Sequence, residues 1–152
     1  KFHFLKPSYD ELVSLGHEVD WVIITKDILE ELVASSGDNY VNIYKSGRKS
    51  SIFPKKAFAA FTFLITLLKL ISLQIIKRYD VIVTDDAGVV QSWLFTKPSV
   101  FILDNDISTL SYASFLLDYA TVIFSPESTE VGKHADKKVG FGGVKATSSV
   151  RR

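Results

Sequence analysis

The sequence predicts an α/β domain whose parallel sheet is covered by helices on both faces, a doubly wound arrangement. Three observations carry this. Short β-branched and aromatic runs alternate with longer stretches of helical periodicity. The strand-like runs are apolar at nearly every position, as in strands buried on both faces. Four of them also end alike: "VIITKD" (22–27), "VIVTDD" (81–86), "FILDND" (101–106) and "VIFSPE" (122–127) each give three apolar residues, an oxygen-bearing side chain, one further residue and an acid.

In chain order, "PSYDELVSL" has Pro7 preset for a first helical turn and a stripe of Tyr9, Leu12, Val13 and Leu15, with Gly16 placed to end the helix. "VDWVII" (19–24) reads as a strand. "DILEELVAS" reads as a helix from Asp27 that stops before Gly37, and "YVNIY" as a strand. Helical stretches at 56–77, 87–95 and 107–117 then separate the strands "DVIVT", "SVFIL" and "TVIF". Residues 1–142 are expected to form the domain, and 143–152 a linker or tail.

At 152 residues and 47% hydrophobic, the chain is long enough for one domain with a real core and too short for two ordinary ones. A net charge of +1 removes any global case for nucleic acid, so a polyanion site would have to be local. The absence of cysteine excludes a disulfide framework and a thiolate zinc site. There is also no methionine, so Lys1 is not expected to be where translation begins, and the opening residues do not read as a cleavable signal peptide.

In a parallel sheet the acidic strand tails gather at the carboxyl edge, where open α/β sheets bind ligands. Asp85 and Asp86, then Asp104, Asn105 and Asp106, then Glu127 are the candidates. An acid after a strand is also a helix N-cap, because its oxygen accepts an orphan backbone N–H and its charge suits the helix dipole. One cap does not need two carboxylates, so the pair Asp85 and Asp86 and the run 104–106 exceed that need. A divalent cation among Asp85, Asp86, Asp104 and Asp106 lacks any fixed ligand spacing, and no metal is expected. A sugar hydrolase is disfavoured too, since adjacent Asp85 and Asp86 do not flank one bond at the usual separation of about 5 to 9 Å.

"KSGRKSSIFPKK" carries Lys45, Arg48, Lys49, Lys55 and Lys56 without an acid and runs into "AFAAFTFLITLLKLISLQII" (57–76). The length suits a bilayer span, but Lys69, Thr62, Thr66, Ser72 and Gln74 dilute it, and a strand follows directly. A span would tear the sheet apart. Two readings stay open: a helix buried in the domain or against a neighbour, and a helix in the membrane interface with its cations on anionic head groups. A lipid-linked or phosphorylated substrate suits the same surface. No G-x-G-x-x-G joins a first strand to its helix, "VGFGGV" (139–144) has no helix pattern after it, and neither a P-loop nor a G-x-S-x-G elbow is present. No cofactor is expected.

"FHFLKPSYDELVSLGHEV", "YDVIVTDDAG", "KPSVFILDND", "YATVIFSPES" and "KKVGFGGVKATS", in this order, resemble the N-terminal half of an uncharacterised GT-B-like family. That family is similar to UDP-N-acetylglucosamine 2-epimerases and to lipid-linked N-acetylglucosaminyltransferases. The resemblance implies a Rossmann-like domain that presents an acceptor across a cleft to a second domain holding a nucleotide-sugar. Family members open with a strand before the "HFLKP"-like segment. Here only "KFHF" precedes Leu5, so that strand is expected to be missing or cut short. The donor domain would follow "FGGVKATS", and without it the chain is expected to be inactive.

Residue by residue, the resemblance places His3 at a loop histidine where related inverting glycosyltransferases keep a base. It sets Lys6 beside it to meet a phosphate, and it puts Asp85, Asp86, Asn105 and Asp106 on loops facing the cleft. It implies inverting transfer with His3, Asp85 or Asp86 taking the acceptor proton. Lys45 to Lys56 would orient an anionic or lipid-borne acceptor, at the cytoplasmic face of a membrane. No metal is implied, since helix dipoles and basic side chains neutralise the leaving diphosphate in such enzymes. The alternative is a non-enzymatic binding or membrane-docking module, with the acids as caps and 57–76 as a partner surface.

Overall fold

The structure is a computed structural model that describes residues 2–24, 29–44, 55–104, 106–107 and 113–142. The chain divides into two compact units, whose described residues fall within 2–44 and 55–142. Each has its own parallel ladder and its own apolar core.

The first unit contains α1 (Phe2–Ser14), β1 (Trp21–Ile24), α2 (Leu29–Ser35) and β2 (Tyr40–Tyr44). β1 and β2 pair in parallel from Trp21 opposite Tyr40 to Ile24 opposite Tyr44. α1 begins at Phe2, so Pro7 lies inside the helix and does not open it. Proline has no N–H and gives up one helical bond there. Burial explains why the helix reaches back past it. Phe2 and Tyr9, two turns apart, are both buried. The Phe2 ring sits 5.2 Å from that of Trp21, and Tyr9 stacks on Trp21 at the same separation. Phe2 joins Ile23 and Val33 in the core. Gly16 ends the helix as the sequence predicts. At φ 87° it adopts the left-handed cap, in which Gly16 N–H donates to Val13 O and His17 N–H to Leu12 O.

Asp38 ties these elements together. Its carboxylate accepts from Trp21 Nε1 at 3.1 Å and from Lys6 Nζ at 3.2 Å. Burial pushes this carboxyl up, but hydrogen bonds from Ser36, Lys6 and Trp21 and the Lys6 charge outweigh it and hold Asp38 below the usual carboxylate range.

The second unit contains α3 (Lys55–Lys77), β3 (Ile82–Thr84), α4 (Gly88–Leu94), β4 (Ser99–Ile102), α5 (Ala113–Tyr119), β5 (Val122–Pro126), a 3-10 helix (Gly132–Lys137) and β6 (Lys138–Phe141). The strand order is β3-β4-β5-β6, parallel throughout. Phe101, Leu103, Ile123, Leu116 and Leu117 centre the core. β4 and β5 are buried along most of their length, which is why their sequences are apolar without alternation.

β6 is a strand that the sequence does not announce. "KVGF" has two apolar residues and a glycine, and Val139 is exposed. Pairing with β5 makes it a strand, aided by the Phe141 ring 4.7 Å from that of Phe124 and by Lys138 Nζ donating to the carbonyls of Glu127 and Thr129. The helix expected over 107–117 appears as α5, shifted toward the C-terminus, with residues 108–112 outside the described residues. Asp27 and the expected tail 143–152 also lie outside them.

α3 packs Phe63 against the core and is apolar on more than one side. Its buried polar positions are Thr62, Thr66 and Gln74, while Phe61, Leu64, Leu68, Ile75 and Ile76 are exposed. The inward polar groups are satisfied: Thr66 Oγ1 donates to Thr62 O at 2.8 Å, Gln74 Nε2 to Tyr79 O at 2.9 Å, and Gln91 Nε2 of α4 to Gln74 Oε1 at 3.2 Å. Burial within the domain therefore accounts for one face of the helix only.

Two outcomes are expected. α4 ends in the same left-handed cap as α1 but with Thr96 at φ 55°, where a β-branched residue is strained. Thr96→Gly should stabilise the protein by about 1 kcal/mol in urea unfolding. Because the Asp38 pKa is depressed, the stability it contributes is present above pH ~4, the ordinary aspartate range, and is lost as pH falls below it. In a Trp93→Phe background, Trp21 fluorescence should report that acid transition, and Asp38→Asn should remove its pH dependence.

Candidate functional site

The parallel ladder of the second unit sends every strand out at the same edge, and the loops there carry the acids. Thr84 ends β3, and its Oγ1 accepts from Asp86 N–H at 3.1 Å, folding the loop into a tight turn. α4 then starts against the strand it follows. A Cβ on Gly88 would lie 2.8 Å from Thr84 Oγ1 and 2.9 Å from Thr84 Cβ, so only glycine fits. The "TDDAG" sequence is thus a turn-forming Thr and a close-approach Gly with two half-buried aspartates held between them. α4 follows the turn directly, with Ala87 already at right-handed helical dihedrals and Val89 N–H donating to Asp86 O, so the two aspartates lead straight into its first turn.

After β4, Leu103 stays buried and its N–H donates to Phe124 O, while Asp104 and Asp106 emerge exposed. Asp106 Oδ1 accepts from Glu130 N–H at 2.8 Å, and Ile107 N–H donates to Glu130 O at 3.1 Å, which pins this loop to the one after β5. Glu127 is exposed, and the space a Cβ on Gly140 would need is filled by Glu127 Cγ at 3.0 Å. Asp85, Asp86, Asp104, Asp106 and Glu127 therefore share one edge as a row. Among the described residues no three acids or histidines converge as metal ligands. Asn105 lies outside the described residues.

The first unit holds the other candidates. His3 is exposed near the start of α1, edge-on to Phe2, and so stands on a helix where the resemblance placed it in a loop. Lys6 is ion-paired with Asp10 and with Asp38, and its Nζ lies 5.2 Å from the centre of the Tyr9 ring. A phosphate would have to displace two carboxylates to reach it. The hydrogen bond to Asp10, against the opposing effect of burial and with added help from Asp38, raises Lys6 above the ordinary lysine value. Lys45, Arg48 and Lys49 lie outside the described residues, and Lys55 and Lys56 are the first two residues of α3.

One polar cluster had no signal in the sequence. His134 is buried with Nε2 3.5 Å from Asp118 Oδ1, and Lys133 pairs with the same oxygen at 2.8 Å. The Lys133 hydrogen bond, followed by the nearby positive charges, holds Asp118 below the usual carboxylate range despite some desolvation. Lys137 Nζ donates to the carbonyls of Leu117 and Asp118 at the C-terminus of α5. The partners belong to different elements, and the return of the chain from β5 through the 3-10 helix brings them to the end of α5.

No protein-family model matches the sequence, and no match was found among curated proteins. Among solved structures, the chain is similar to a crystal structure of Acinetobacter baumannii MurG, with a TM-score of 0.68 at 16% identity. The match covers 93% of this chain and 41% of that one, so the chain spans about two fifths of the length of the MurG structure. At this identity the likeness is one of fold, and that fold is the GT-B-type, Rossmann-like α/β domain expected from the sequence.

The packing of Gly88 on Thr84 makes Gly88→Ala an informative variant. It should cost about 1 to 3 kcal/mol in thermal or urea unfolding, because the stiff Thr84 side chain cannot move aside cheaply.

Proposed function

We propose that this chain is the acceptor-side domain of a GT-B-type glycosyltransferase or sugar-nucleotide enzyme. The observation that supports this best is the row of carboxylates at the carboxyl edge of β3, β4 and β5, in a fold shared with MurG. Two of the acids, Asp85 and Asp86, are held by the Thr84 turn and the Gly88 approach.

The chemistry is inverting transfer. An acceptor hydroxyl gives its proton to a base, its oxygen bonds to the anomeric carbon of a nucleotide-sugar, and the nucleoside diphosphate departs with the electrons of the broken bond. Asp85 or Asp86 is the base on the second unit, and His3 is the candidate on the first. A donor domain beyond this chain holds the nucleotide-sugar and neutralises the diphosphate with helix N-termini and basic side chains. The acceptor is lipid-linked or phosphorylated, and the basic segment 45–56 orients it at the cytoplasmic face of a membrane. No cofactor takes part.

In the full-length protein, supplied with UDP-N-acetylglucosamine and other nucleotide-sugars, removal of the base should lower turnover about 100-fold or more without lowering the melting temperature. Asp86→Asn and His3→Ala are the variants to compare. Turnover unchanged in both would remove the proposed roles. Absence of transfer with every donor would leave a binding module without catalysis.

A further inference from the structure

We infer that the outer edge of β3 is a dimerisation edge: β3 of a second copy of this chain pairs with it antiparallel about a two-fold axis, which brings Arg78 of the second copy beside Asp85 and Asp86. The inference goes beyond the transferase reading and stands on the second unit alone.

β3 is the first strand of its sheet, and among the described residues no strand pairs with its outer side. Ile82 N–H donates to Pro98 O on the β4 side. Backbone groups alternate in direction along a strand, so Ile82 and Thr84 bond toward β4, whereas Val81 and Val83 direct their N–H and C=O groups outward. The two valine side chains share one face and are 57% and 52% exposed. At the other end of the sheet β6 carries Lys138, a residue type that discourages further pairing. No lysine, proline or bulge interrupts residues 81–84, so this edge is left ready to accept an extended chain.

Charge and symmetry select the occupant. Lys77 and Arg78 precede β3, and Asp85 and Asp86 follow it. A second β3 laid parallel would set cations beside cations and carboxylates beside carboxylates. Laid antiparallel, the cationic start of each copy meets the acidic end of the other, and the two-fold axis makes the match twice. With the axis at Ile82, Val81 stands opposite Val83 of the second copy, and each such pair exchanges both of its N–H···O bonds. The valines of both copies then form one apolar cluster in place of two exposed ones. The same register sets Arg78, exposed where the chain leaves α3, against Asp86 of the second copy. Asp80, the acid at the basic end, is already engaged by Lys97 at 2.7 Å.

Sedimentation velocity of the full-length protein over a range of concentrations tests this. A concentration-dependent dimer is expected, weakened as salt screens the charge pairs. Hydrogen exchange at the Val81 and Val83 amides should slow as the dimer forms. Val83→Lys should abolish the dimer while the thermal melt stays that of the wild type, because the side chain is exposed. Arg78→Asp should raise the dimer dissociation constant about tenfold, and adding Asp86→Arg to it should restore the affinity.

A monomer at every concentration would overturn the inference, and protection of its Val83 amide would assign the edge to a strand of the same chain. A dimer indifferent to Val83→Lys and to the charge exchange would overturn it as well, by placing the contact elsewhere. Should Val83→Lys fail to fold, loss of the dimer with Arg78→Asp and its recovery in the charge-exchanged variant decide the question by themselves. The assay contains no sugar donor or acceptor, so a monomer leaves the transferase reading standing. A protein that dimerises but transfers no sugar overturns only the latter.

Discussion

Parallel pairing of β3, β4, β5 and β6 is the constraint on which the second unit depends. Strands that run the same way need a crossover after each one, so every strand leaves at one edge and every helix must return over the sheet. The acids of "TDD", "DND" and "SPE" have no sequence neighbours in common, and this geometry alone gathers them. It also dictates the tightness of the β3–α4 turn, since α4 starts only four residues after the strand ends and must lie close on it. Gly88 and the Thr84 turn answer that demand, and the two aspartates are held in place as a consequence.

In α3, the helix that opens this unit, the inward face combines the packing of Phe63 on the core with hydrogen-bonded polar side chains. Buried Gln74 and Gln91 are acceptable in a core because each amide finds a partner, whereas an unpartnered one would cost about 1 to 3 kcal/mol. Further apolar side chains, Phe61, Leu64, Leu68, Ile75 and Ile76, are left on the outside. The domain so formed is stable through the packing of β4, β5, α4 and α5 around Leu103, Leu116, Leu117 and Ile123, and does not draw on the outer face of α3 at all.

The acids illustrate how far sequence carries the candidate site. Their recurrence after apolar runs was legible, and so was their common edge, because strands without alternation imply a parallel sheet. The choice between cap and site was not legible, since an aspartate after a strand serves both. Lys6 shows the opposite case. Next to a candidate histidine it looked available to a phosphate, and its engagement by Asp10 and Asp38 depends on a carboxylate from beyond α2.

What the sequence by itself determined is the local and periodic part: the alternation of strands and helices, the Gly16 stop, the absence of thiol chemistry, and an apolar run beside a block of cations. These follow from side-chain volume, backbone freedom and charge, which belong to each residue wherever it lies. Only the tertiary structure decided that α1 extends back through Pro7, that "KVGF" is a strand, that His134 lies buried beside Asp118, and which face of α3 points outward. Each of these turns on a partner distant in the chain: Trp21 for Phe2, β5 for β6, α5 for His134 and α4 for Gln74. Burial and pairing energies are properties of such contacts, and no single stretch of sequence contains them.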